Sequence, residues 1–176
     1  MREPYRGAPL LHHAVLRLSD VCLEVVVVVG PQDPEPDLPS RPGLRLARDL
    51  VEGRGPLTGL ETGLADVETE LALVAAGDMP DMSSSVLLEM VGGAQRSGAD
   101  AVALDDVGTL RPLPVVLRVD PARDASHALL GRGERSLRAL LGALRVMRLG
   151  EVTWRPLDPQ GGTLRDVDLP EDLSGS

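Results

Sequence analysis

Five consecutive valines, Val25 to Val29, narrow the folds open to this chain more than any other stretch does. An unbroken β-branched run leaves no polar face, so "LEVVVVV" (23–29) reads as a strand buried on both faces, as in a parallel sheet. The surrounding segments agree. Leu10, Leu11, Ala14, Val15 and Leu18 recur at helical spacing ahead of it. Beyond the Pro-rich loop 30–43, "LRLA" (44–47) is a short strand, and Gly55, Pro56, Leu57, Leu60 and Leu64 mark a helix with proline in its first turn. Then follow a strand "LALVAA" (71–76), a Ser-capped helix in "SSSVLLEMVGGAQRSG" and a strand "ADAVAL" (99–104). A strand "LPVVLRV" (113–119), helices in "RDASHALLGRG" and "ERSLRALLGAL", and a strand "LRVMRLG" (144–150) complete the pattern. Helices alternating with apolar strands predict the α/β class, a mostly parallel sheet with helices on both faces, in one domain over 1–176.

Charge and composition exclude several functions. A net charge of −9 opposes nucleic-acid binding, and with no Phe, one Trp and one Tyr there are few platforms on which exposed bases stack. All 18 basic residues are Arg, so no lysine ammonium serves a site. The apolar runs fall far short of the roughly 20 residues of a membrane span, and no signal-like stretch opens the chain, so no membrane partner and a cytoplasmic location are expected. The single cysteine, Cys22, permits no internal disulfide or cysteine-based zinc site and reads as a small core residue. His12 and His13 read as surface residues of the first helix.

Chemistry points to "LALVAAGDMPDM" (71–82), where Asp78 closely follows six apolar residues. A buried unpaired carboxylate is costly, so the strand must deliver this acid to its emerging end, facing water, a cation or a ligand. In α/β sheets that end is where ligands bind. The plainer alternative is a turn-initiating Asp before Met-Pro.

Three stretches, "RDLVEGRGPLTGLETGL" (48–64), "GDMP" (77–80) and "DVDLPEDL" (166–173), resemble in this order the MobA-type nucleotidyltransferases, which guanylylate the molybdenum cofactor. "RPLPVVLRV" (111–119) and "GERSLRALL" (133–141) are similar to later segments of the same family. The resemblance implies a Rossmann-like three-layer α/β/α fold, GTP and molybdopterin as substrates, and Mg²⁺ as cofactor. By that likeness Asp78 is the catalytic, metal-binding and nucleotide-side acid, Asp49 and Gly55 bind nucleotide, and Asp168, near Asp166, is a second metal-side acid. The "GRGPLTGL" turn lets backbone approach a ligand, and its helix start offers free N–H groups. Arg132 and Arg135 are either pterin-phosphate contacts or solvated helix-end charges.

The family opens with a strand and a Gly-rich triphosphate loop that have no counterpart here; "YRGAPLLHHAV" matches the helix after that loop. The resemblance therefore implies an apolar slot between the "LEVVVVV" and "LALVAA" strands, with unpaired backbone on both sides. Either a start codon placed too late or an inactive truncated paralogue accounts for this, the first being favoured. A related cytidylyl or sugar-phosphate nucleotidyltransferase is the rival within the enzyme class. A phosphoacceptor receiver, suggested by "DMPDM", is the remote alternative: such modules space the Asp two residues before the Met-Pro and need an acidic pair after the first strand and a late lysine, none of which this chain has.

Overall fold

The computed structural model describes residues 5–49 and 55–167. Helix α1 (Leu10–Ser19) leads into β1 (Val25–Val29), which pairs in parallel with β2 (Leu44–Arg48) in register from Val25 against Leu44 to Val29 against Arg48. Helix α2 (Pro56–Ala65) follows, with Pro56 in the first turn, where a missing N–H costs nothing. Strand β3 (Leu71–Val74) enters a second sheet of order β3-β5-β4-β6, completed by β4 (Ala101–Asp106), β5 (Thr109–Arg118) and β6 (Val146–Leu149). Helices α3 (Ser84–Ser97), α4 (Val119–Gly131), α5 (Leu137–Ala143) and α6 (Glu151–Trp154) cover it. Among the described residues no helix is long and apolar enough to cross a membrane.

The strands of the second sheet feed two cores in alternation. Val102 and Leu104 of β4 and Val116 of β5 join α1, α3 and Trp154, whereas Ala101, Ala103, Val115 and Leu117 join α2, α4 and α5. A strand with both faces covered by helices needs an apolar residue at every position, which is why these runs are continuous. The result is a three-layer α/β/α arrangement.

Strand β5 departs from the parallel expectation, pairing antiparallel with both β3 and β4. A tight turn places it there. Asp106 pairs with Thr109 across Val107 and Gly108, whose φ values of 48° and 78° are the left-handed pair a two-residue hairpin requires. Hence β5 begins at Thr109, before the stretch read as strand from sequence. Ser83 does occupy the N-cap of α3, but its hydroxyl donates to the Leu157 carbonyl (3.1 Å) instead of capping the helix. The histidines are not surface residues either: His12 and His13 are half-buried, and His13 Nε2 lies 2.8 Å from the Tyr5 carbonyl.

The sheet is divided where the slot was expected. Among the described residues, strands β1 and β3 each pair on one side only, and both border a cavity of about 720 Å³. The consequence for β1 is partial burial: Val25 and Val27 are buried, but Val26, Val28 and Val29 are only partly covered, because among the described residues no strand stands on the side of β1 away from β2.

Candidate active site

The cavity reaches the carboxyl ends of β1 and β2 and is bordered there by Gly30, Asp49, Gly55 and Gly77. Asp49 directly follows β2; its N–H donates to the Val29 carbonyl (2.8 Å), and the Thr62 hydroxyl donates to its Oδ1 (3.3 Å). The backbone thus ties Asp49 to β1 while α2 orients its carboxylate. Gly55 is the N-cap of α2 at φ 86°, and a Cβ there would stand 3.1 Å from Cβ of Arg135. Both the left-handed backbone and the close approach call for glycine.

The helix start beside Gly55 differs from the expectation of free N–H groups. Pro56 has no N–H, Leu57 donates to the Arg135 carbonyl (3.3 Å), and Thr58 donates to the Gly55 carbonyl (3.2 Å). The first turn of α2 is therefore largely satisfied by protein, so the contribution of this corner is its shape more than its dipole. Arg135 is half-buried and donates to the Leu130 and Glu134 carbonyls, closing the end of α4, whereas Arg132 is exposed. Cys22 is a cavity-wall residue, only partly buried, and desolvation raises its thiol pKa.

Asp78 lies one residue beyond the cavity rim. Two methionines hold it: Met79 and Met82, 2% and 1% exposed, anchor the turn in the core between α3 and α1. The Asp78 carbonyl accepts the N–H of Val167 (3.0 Å), which brings the chain at Asp166 against the "GDMP" turn. Asp78 Oδ1 is buried and has no hydrogen-bond partner among the described residues. A buried carboxylate oxygen without a donor is expensive unless something positive or protic meets it. Its neighbour Asp81 has the opposite fate. Tyr5 Oη (2.7 Å), Arg6 Nη1 (2.9 Å) and Arg165 Nη1 (3.2 Å) all donate to Asp81. Two acids three residues apart are thus assigned different work, Asp81 locking the amino-terminal segment and Asp78 keeping an oxygen available.

A loop that sequence reasoning did not single out supports this corner. Thr163 donates its N–H to Asp158 Oδ2 (2.7 Å), and its hydroxyl accepts the N–H of Ser83 (3.0 Å). Burial pushes the Asp158 carboxyl pKa up, but hydrogen bonds from Thr163, Gly162 and Gly161 outweigh it and leave the pKa lowered. Gly162 packs on the Asp81 backbone, where a Cβ would meet its carbonyl oxygen at 2.8 Å. The "GG" pair and the nearby Asp158 were the available signals. Asp168 lies outside the described residues, and Asp166 beside it is exposed.

Asp49 and Gly55 thus share one cavity wall, and Asp78 stands just past its rim with the segment around Asp166. Among the described residues no three His, Cys, Asp or Glu side chains gather into a cage for a metal. An oxygen site of one or two carboxylates, with phosphate and water completing it, suits such a donor set better than a soft-ligand cage.

Comparison with known proteins places this arrangement. The MobA-like NTP transferase domain matches over residues 2–148. A probable molybdenum cofactor guanylyltransferase of Chloroflexus aggregans is 33% identical over 173 residues, covering 96% of this chain and 79% of the relative. That of Mycobacterium tuberculosis is 34% identical over 151 residues, covering 84% and 72%. Among solved structures, molybdopterin-guanine dinucleotide biosynthesis protein A of Archaeoglobus fulgidus superposes with a TM-score of 0.75 at 21% identity, covering 97% of this chain and 85% of the other. The 2-C-methyl-D-erythritol 4-phosphate cytidylyltransferase of Thermus thermophilus gives 0.71 at 19%, covering 97% and 87%. At these identities the structural likeness establishes the nucleotidyltransferase fold.

Proposed function

Because this chain belongs to the MobA-like NTP transferase domain family and is a nucleotidyltransferase of molybdenum cofactor biosynthesis, we propose that it transfers GMP from GTP to the terminal phosphate of molybdenum-molybdopterin, releasing pyrophosphate. The observation that supports the site assignment is Asp78 Oδ1, buried without a hydrogen-bond donor among the described residues, just past the cavity rim.

The chemistry asks little of a protein nucleophile. The attacking phosphate is already ionised, and the difficulty is bringing two polyanions together in line. Asp78 is the residue to hold a divalent cation, Mg²⁺ by its hard oxygen donors, with Asp168 as the proposed second acid. When bound, the cation offsets charge on the phosphates and on the departing pyrophosphate. The Met79 and Met82 anchors fix the backbone turn that carries Asp78, limiting how far the carboxylate must be ordered at each turnover. Asp49, oriented by Thr62, accepts hydrogen bonds from the nucleotide. Gly55 keeps the wall thin where the nucleotide passes. No relay of acid and base is required.

Pyrophosphate release from GTP in the presence of molybdopterin, with CTP in parallel, tests the reading. Asp78→Asn removes the charge and keeps the shape; turnover is expected to fall on the order of a hundredfold or more while the melting transition is retained. Undiminished turnover in that variant, or turnover with CTP alone, would overturn the assignment.

A further inference from the structure

Three parts of the chain that lie far apart in sequence meet at the "GDMP" turn: the segment from Tyr5 to Ala8 ahead of α1, the turn itself, and residues 165–167. Asp81 joins them. Its Oδ2 accepts from Tyr5 Oη and from Arg165 Nη1, and its Oδ1 accepts from Arg6 Nη1. The later stretch is gripped twice, since Arg165 reaches Asp81 by its side chain and Val167 donates its N–H to the Asp78 carbonyl. Tyr5 closes the arrangement from the other side: it is buried in one cluster with Leu10 and Val167, and its carbonyl lies 2.8 Å from His13 Nε2 of α1. Residues 165–167 are thus tied to the turn and, through Tyr5, to α1.

Charge indicates what this clasp does. The Asp81 side chain stands three residues from Asp78 and, left alone, would be a second hard oxygen donor drawing any cation away from it. Two guanidinium groups and a phenol occupy it instead. The side chains of Arg6 and Arg165 stay half-exposed, and ion pairs of that kind add little to folding because water and salt screen them. What they do settle is direction. The stretch that Arg165 and Val167 pin down leads straight into Asp168, the proposed second acid.

We propose that Asp81 is a positioning residue of the cation site: by holding Arg165 it keeps residues 165–167 on the Asp78 turn, and so sets how tightly a divalent cation binds there. This rests on the reading of Asp78 as a metal-side acid. Asp78 supplies the available oxygen, and Asp81, spent on arginine, fixes the wall that faces it. Partners of this kind, one step removed from the metal, govern its affinity by orienting the groups that do bind it.

Arg165→Gln separates positioning from simple electrostatics, because the two predict opposite signs. Deleting a positive charge and freeing Asp81 would tighten cation binding by through-space attraction alone, whereas loss of a positioning contact weakens it. The probe is Mn²⁺ alone, which takes the same oxygen donors as Mg²⁺, titrated into the full chain and followed by the EPR signal of the free ion. Amide exchange at Val167 and the melting temperature are read in parallel, and none of these depends on nucleotide transfer. In Arg165→Gln the expected result is Mn²⁺ affinity lowered about tenfold and Val167 exchange quickened about tenfold, with a melting temperature within about 2 °C of the parent. Asp81→Ala should follow it, and Asp81→Glu, which keeps the charge, should recover most of the affinity. Asp78→Asn should abolish Mn²⁺ binding without quickening Val167. Unchanged or raised affinity in Arg165→Gln, with Asp78→Asn inert, would overturn the positioning role and leave the reading of Asp78 standing. Affinity that falls only in step with melting temperature across the set would reduce Asp81 to a folding contact and overturn the role as well. Mn²⁺ binding absent from the parent chain, or surviving Asp78→Asn, would overturn both.

Discussion

The two halves of this molecule are built from similar residues and finished differently. In β4 and β5, Val102, Leu104, Val116 and Leu117 are wholly buried, because strands stand on both sides and helices above and below. In β1 an equally apolar valine run leaves Val26, Val28 and Val29 partly uncovered beside a cavity. Hydrophobicity alone therefore does not set what a residue contributes. A valine stabilises by the area its neighbours remove from water, and among the described residues β1 has a strand on one side only.

Substitutions can break this contrast. The largest loss is expected at Trp154, which is fully buried and donates Nε1 to the Asp105 carbonyl (2.9 Å): Trp154→Ala should cost roughly 3–5 kcal/mol in urea unfolding. A matched pair is more pointed. Val102→Ala on the finished side should cost about 2 kcal/mol, and the same change at Val26 about half that or less. Equal losses at the two positions would mean that β1 is as well covered in solution as β4.

A smaller effect lies in the acid limb of stability. Arg145 donates from its N–H, Nε and Nη2 to Asp100, and these hydrogen bonds hold the Asp100 carboxyl at about 2, against an ordinary 3.8. A carboxylate with its folded pKa lowered stabilises fully above the unfolded value and loses that contribution as pH falls through the folded one. Denaturant midpoints should therefore drop as pH falls from about 3.8 toward about 2, and Asp100→Asn should flatten the curve in that window. The smallest effect belongs to Leu23→Lys. Leu23 is 97% exposed at the foot of β1, and the change should move stability by no more than about 0.5 kcal/mol. A large loss there would show that the slot side is covered by something in solution.

Much of the candidate site was legible because it rests on local signals. An acid just beyond an apolar strand, and Gly-Pro at a helix start, carry their positions with them; the structure puts Asp78 past β3 and Gly55 at the N-cap of α2. What those residues touch was not legible. The Leu57 N–H is taken by the Arg135 carbonyl in the loop between α4 and α5, and Asp81 is claimed by Tyr5, Arg6 and Arg165, contacts spanning more than seventy residues. No spacing rule reaches across such distances.

By itself the order of apolar runs determined the α/β class, the sequence of the main elements, and that an acid follows the third strand, because burial on one or two faces imprints a period on the chain. Only the tertiary structure decided that β5 runs against its neighbours and that, among the described residues, β1 and β3 do not pair and Asp78 rather than Asp81 retains an oxygen without a hydrogen-bond partner. Those outcomes depend on which backbone edges and charged groups meet in space, and pairing of that kind is settled by the whole chain at once.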